Sequence, residues 1–178
     1  MNTIRLVVAA ALVSIVTACV STGEEYPGEP PGRVIKRAPR ETPPGEELPP
    51  PPSSIPSGAP KSAEDASGPA VQSLVLQAKA QLAANHPDQA LPLLEHALRI
   101  ESRNPFVLQM LATTHLALGH NEDAETFAEK SNSSARGNPY VEIENWKVIA
   151  ATRQAAGDAD AALRAQTRVD QLKQLLDQ

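Results

Sequence analysis

Apolar positions fall into three regimes along this chain of 178 residues. Residues 6–16, LVVAAALVSIV, are apolar almost throughout. From about residue 20 to residue 70 apolar side chains are sparse and follow no period. From residue 71 onward they return at helical spacing, as in Leu108, Leu111, Ala112 and Leu116, which share one face of a helix.

That last region also repeats itself. Leu74, Ala78, Leu82, Asn85 and Ala90 recur 34 residues on as Leu108, Ala112, Leu116, Gly119 and Ala124. A shift of 38 then gives Trp146, Ala150, Gln154, Gly157 and Ala162, so a third copy follows with one extra helical turn before it. Asn104-Pro105 and Asn138-Pro139 each place Asn as an N-cap and Pro at the first helical position. Gly119 and Gly157 stand where the chain must leave a helix. The spacing predicts helices at 70–84, 87–100, 105–118, 121–133, 139–156 and 158–177, two to each unit.

The pattern resembles the tetratricopeptide repeat, whose large, Leu, small, Gly and Ala positions are filled in the third unit by Trp146, Ile149, Ala150, Gly157 and Ala162. The resemblance implies an all-α solenoid of three helix pairs, with repeats at about 71–104, 105–138 and 139–178. A long C-terminal helix would cap it, with Val169, Leu172 and Leu176 facing in and Arg164, Arg168, Asp170 and Lys173 facing out. The first unit departs most from the pattern. Gln77 stands where the family has Leu, Asn85 replaces the turn Gly, and Pro92 removes one backbone hydrogen bond from the second helix.

Composition separates this domain from what precedes it. Between residues 20 and 70 lie 13 of the 17 prolines and 6 of the 9 glycines, including LPPPPSSIPSGAP at 48–60. Such a segment has too little apolar surface to offset the entropy of ordering, so residues 19–70 are expected to form a disordered Pro-rich tether. Within it, Arg33, Lys36, Arg37 and Arg40 cluster. They stand open to two readings, a weak contact with peptidoglycan carboxylates or anionic lipid, and a solvated charge cluster that keeps the tether soluble.

The single cysteine, Cys19, follows the first apolar run. A disulfide would need a partner that the chain does not contain. The run of about 11 residues falls short of the roughly 20 that span a bilayer, and with Arg5 ahead of it reads as a secretion signal over residues 1–18. Val16-Thr17-Ala18-Cys19 resembles the lipobox of bacterial lipoproteins, in which the cysteine is acylated and becomes the mature N-terminus. Val20 and Ser21 follow it, with no Asp to hold the protein at the inner membrane, so the resemblance implies lipid attachment to the outer membrane, facing the periplasm.

Chemistry narrows the class further. The four histidines, His86, His96, His115 and His120, include no i, i+4 pair with an acid, and a spacing of five between His115 and His120 is awkward for one metal on a helix. No Gly-rich phosphate loop or nucleophile elbow is present. The expectation is a protein that is not an enzyme, with no catalytic residue, no metal and no cofactor beyond the lipid on Cys19. A formal net charge of −5 argues against nucleic acid.

In the resembled family the first helix of each unit lines a groove that binds protein segments. Carried onto this chain, the groove positions include Val75, Lys79 and Leu82, then Phe106, Gln109 and Thr113, then Glu144, Lys147 and Gln154. Either Phe106, Val75 and Leu82 form an open apolar stripe rimmed by Lys79 and Lys147, or tight packing covers them. The Lys and Asn of the chaperone-tail clamp are not matched. Anchor, tether and repeat domain together resemble the outer-membrane lipoproteins that bind and activate bifunctional penicillin-binding proteins. Pilotins, which serve secretin, pilus or secretion assemblies, share part of that architecture. If Cys19 carries the lipid, Cys19→Ser should leave an unprocessed or mislocalised precursor, and labelling with a palmitate analogue should disappear; a Ser variant that still takes the label would contradict the assignment.

Overall fold

In the computed structural model, Leu48 and residues 50–178 are described. Cys19 and the cluster of Arg33, Lys36, Arg37 and Arg40 lie outside the described residues.

Proline and asparagine start the helices as the sequence predicts. Pro69, Pro87, Pro105 and Pro139 each occupy the first turn of a helix, where their missing N–H costs nothing. Asn104 Oδ1 accepts from the N–H of Phe106 at 3.0 Å and of Val107 at 3.2 Å, and Asn138 Oδ1 from the N–H of Tyr140 at 3.0 Å. The resulting helices are α1 (Ala63–Ala66), α2 (Pro69–Ala83), α3 (Pro87–Ile100), α4 (Pro105–Ala117), α5 (Asn121–Ala135), α6 (Pro139–Ala155) and α7 (Ala159–Leu176), with no strand among the described residues.

Helices α2–α3, α4–α5 and α6–α7 pack as successive pairs, and α4 and α6 also touch across the second and third pairs. Each pair turns at one residue in the left-handed region: Asn85 (φ 61°), Gly119 (φ 78°) and Gly157 (φ 80°). A Cβ on either glycine would meet nothing within 4 Å, so backbone conformation rather than space selects Gly there. Asn tolerates the same conformation, which is why Asn85 replaces the turn Gly without loss of the turn. The other departures of the first unit are also absorbed. Gln77 is exposed and donates to the Ser73 carbonyl at 3.1 Å, while α3 continues unbroken through Pro92.

The extra turn before the third copy is visible as helix length. α6 has 17 residues and α4 has 13, a difference of 4 gained at the N-terminal end.

Three apolar clusters run through the array. The first joins Val71, Val75, Leu94, Val107, Leu111 and Val141; the second joins Ala112, Ala124, Ala128, Val148, Ile149 and Ala165; the third holds Ile143, Val169 and Leu172. Trp146 is half-buried and packs on both the second and the third, so its indole bridges the last two units. Polar links cross the same seams. Ser131 Oγ donates to the Pro105 carbonyl at 2.7 Å and accepts from Asn145 Nδ2 at 2.7 Å, tying α5 to α4 and α6. Arg153 pairs with Glu125 across α5 and α6, and the Thr152 hydroxyl donates to the same carboxylate at 3.0 Å.

The C-terminal helix corrects one expectation. Val169 and Leu172 are buried and Leu176 packs against them, but Arg168 points in rather than out and is 4% exposed. Its guanidinium lies 5.8 Å from the Trp146 ring centroid. Burial lowers its pKa, opposed by the charge of Glu142, whose own carboxyl is raised by burial. Helical spacing could not assign Arg168 because its stem follows the apolar stripe while its head finds the indole. Among the described residues no helix is long and apolar enough to cross a membrane.

Leu111 is completely buried, whereas Leu76 is 57% exposed. Leu111→Ala should therefore lower the unfolding free energy by about 2–5 kcal/mol, and Leu76→Ala by less than about 0.5 kcal/mol, measured by urea denaturation. Equal losses would contradict the placement of the first cluster.

Candidate functional site

The residues carried onto the inner face divide into buried and open groups. Val75 is completely buried and Phe106 is 5% exposed, both within the first cluster, and half-buried Leu82 packs against that cluster. The open apolar stripe is therefore absent; the tighter of the two packings holds. What remains accessible is polar. Lys79, Thr113, Glu144, Lys147 and Gln154 are exposed and Gln109 is half-buried. Gln109 Nε2 donates to the Thr113 hydroxyl at 2.9 Å, and Lys147 Nζ donates to Glu144 at 2.6 Å.

Part of the cover over the apolar residues comes from the segment that composition assigns to the tether. Residues 60–68 form a strap running from the N-terminal end of α6, past that of α4, into α2. Asn138 Nδ2 donates to the Pro60 carbonyl at 2.8 Å, and Lys61 Nζ lies 5.7 Å from the Tyr140 ring centroid. Ala63 is 3% exposed within the first cluster, and Ala66 packs on that cluster. Asn104 Nδ2 donates to Ser67 Oγ at 2.8 Å, and the N–H of Gly68 donates to Glu101 at 2.9 Å. Gln72 Nε2 holds the Glu64 and Ser67 carbonyls at 2.7 and 3.0 Å. Lys79, expected to rim an open groove, pairs instead with Glu64 at 2.5 Å.

Two features of the sequence explain the strap. The N-cap asparagines serve twice: Oδ1 caps the helix while Nδ2 reaches the strap, a use open to Asn and closed to Asp. The added turn of α6 supplies Tyr140 and Val141, against which the strap packs or in whose cluster it lies. One local signal was present. Ser62, three residues before Asp65, is the start of a capping box, and Ser62 Oγ accepts from the N–H of Asp65 at 3.2 Å.

An open concavity also lies in the third repeat. Ala150, Gln154, Gly157, Ala162 and Leu163 line about 300 Å³ between α6 and α7, with Leu163 67% exposed. Gln154 is the one residue it shares with the sequence-derived groove. No group in it has the chemistry of a nucleophile or general base.

The arrangement defines a class first: a helical-repeat module with a polar inner face. The tetratricopeptide-repeat family model matches residues 81–142. Among solved structures, the globular C-terminal domain of P. aeruginosa LpoP is similar at 35% sequence identity with a TM-score of 0.53, covering 57% of this chain and 97% of that domain. At that identity and coverage, this chain and the LpoP domain belong to one family of tetratricopeptide-repeat proteins. A comparison with curated proteins gives no match.

Asn138→Asp isolates the strap, because it keeps the cap acceptor and removes the donor to Pro60. Its unfolding midpoint should stay near that of the parent while amides of residues 61–66 exchange faster. The carboxyl of Glu64 sits below its ordinary value of 4.5, chiefly through the hydrogen bond from Lys79. That contact therefore contributes above pH 4.5 and weakens as pH falls through the carboxylate range, by at most about 1 kcal/mol because the pair is partly exposed. Unchanged exchange in Asn138→Asp would contradict the strap.

Proposed function

We propose that this protein is an outer-membrane lipoprotein that faces the periplasm, binds a bifunctional penicillin-binding protein and activates its peptidoglycan synthesis. The likeness to the LpoP domain at 35% identity carries the reading, because it supports the family resemblance drawn from anchor, tether and repeats. The repeat fold fits a protein-binding, non-catalytic role. Cys19 supplies the anchor, and its acyl chains contribute about 0.8 kcal/mol per buried methylene.

The strap revises the reach of the tether. With residues 60–68 engaged on the domain, about 40 residues after Cys19 remain, which extend to roughly 120 Å as polyproline II. That length suits a partner held on the far side of the peptidoglycan layer. The partner-binding surface comprises Lys79, Gln109, Thr113, Glu144, Lys147 and Gln154, the polar members of the predicted groove that stay accessible. Val75 and Phe106 act beneath it as core.

The test uses purified mature chain and the penicillin-binding protein together. Addition of the chain should raise the rate of glycan polymerisation or crosslinking. Lys147→Glu should weaken that stimulation with its helical circular dichroism unchanged, whereas Phe106→Ala should act through lost stability of about 3–5 kcal/mol. In cells, removing half of the tether should abolish function while binding in solution persists, since only reach is lost. Stimulation that is absent, or unaffected by Lys147→Glu, would overturn respectively the activity and the surface.

A further inference from the structure

A spacing of five between His115 and His120 rules against a metal only if both residues lie on one helix. They do not. His115 is in the last turn of α4, Gly119 reverses the chain at φ 78°, and His120 is the residue that precedes α5. The turn is locked by hydrogen bonds from the N–H of Gly119 to the Leu116 carbonyl at 3.0 Å and from the N–H of His120 to the His115 carbonyl at 2.9 Å. The two rings are thereby folded toward each other, with Asp123 reaching in from the first turn of α5.

The resulting distances are those of a ligand set. His115 Nδ1 lies 3.4 Å from His120 Nδ1 and 3.9 Å from Asp123 Oδ2, and one ligand atom from each residue falls within 4.8 Å of the others. Two nitrogens bound to Zn²⁺ at about 2.0–2.1 Å in tetrahedral geometry stand about 3.4 Å apart. As a hydrogen bond the same contact is poor, being longer than the usual 2.7–3.2 Å range.

The three side chains are also held differently, as a site requires. The side chain of His115 is 11% exposed and its ring stacks on Phe127, with centroids 5.1 Å apart and planes at 10°. One ligand is therefore fixed in orientation before any ion arrives. His120 makes no side-chain capping bond at its position before α5, which leaves its ring available. Asp123 is largely exposed and can close on the ion from solvent.

We propose that His115, His120 and Asp123 form a binding site for a divalent transition-metal ion of the Zn²⁺ class, one per chain, at the turn between the helices of the middle repeat. Two imidazoles select Zn²⁺, Cu²⁺ or Ni²⁺ over Mg²⁺ and Ca²⁺, which prefer oxygen ligands. Three protein ligands leave one tetrahedral position open for water or for a donor from a partner. Bound there, the ion would clip α4 to α5.

The experiment titrates Zn²⁺ alone into the mature chain, purified without a polyhistidine tag, by calorimetry in a non-chelating buffer, and repeats it with Co²⁺ followed by visible absorption. One ion should bind per chain, and the Co²⁺ adduct should show the intense visible bands of a tetrahedral site. His120→Ala should weaken binding by more than the roughly 10- to 100-fold that loss of an outer-shell partner costs. His120 is exposed, so this variant should keep its fold, checked by circular dichroism. Asp123→Asn should weaken binding less, and His96→Ala should leave it unchanged. Absence of a one-to-one event, or equal affinity in His120→Ala, would overturn the proposal.

Discussion

Close approach of paired helices at alanine is the constraint on which the remaining structure depends. Ala78, Ala90, Ala97, Ala112, Ala124 and Ala128 are all completely buried. A larger side chain at any of them would hold two axes beyond the 8–10 Å at which helices interlock. With the axes close, Leu94, Leu111 and Leu172 fill the spaces between, and the turns must reverse within a few residues. That reversal puts Asn85, Gly119 and Gly157 into the left-handed region and brings His115 onto His120.

The strap follows from a shortage created by the same geometry. Helices built largely of alanine and medium-sized side chains leave Val75, Phe106 and Met110 close beneath the inner face. Residues 60–68 contribute Ala63 and Ala66 to the same cluster and meet the N-terminal ends of α4 and α6 with polar contacts. The inner face is consequently polar where it is open, with Lys147 paired to Glu144. In the proposed role, a partner seated there would be recognised by charge and hydrogen bonding, with affinity that falls as salt rises.

Helix positions and caps were legible because each rests on local chemistry. Asn-Pro sets a helix start, Gly or Asn at positive φ sets an end, and a spacing of three and four sets the buried face. The strap was hidden because its hold comes from single hydrogen bonds to cap side chains 37 and 78 residues away, which no period records. Only Ser62 before Asp65 marked it. Arg168 was misplaced because an arginine on an apolar stripe is read as solvated unless its aromatic partner is known. Val75 and Phe106 show the same limit: the repeat pattern states which helix face a residue occupies, and what lies over that face is decided elsewhere in the chain.

The identity of the partner is the central claim, and in-cell crosslinking tests it most directly. A photo-reactive residue at position 147, on the open part of the inner face, should capture a bifunctional penicillin-binding protein identified by mass spectrometry, and the same probe at the buried position 111 should capture nothing. Capture of a secretin subunit at position 147 in place of the synthase would contradict the account.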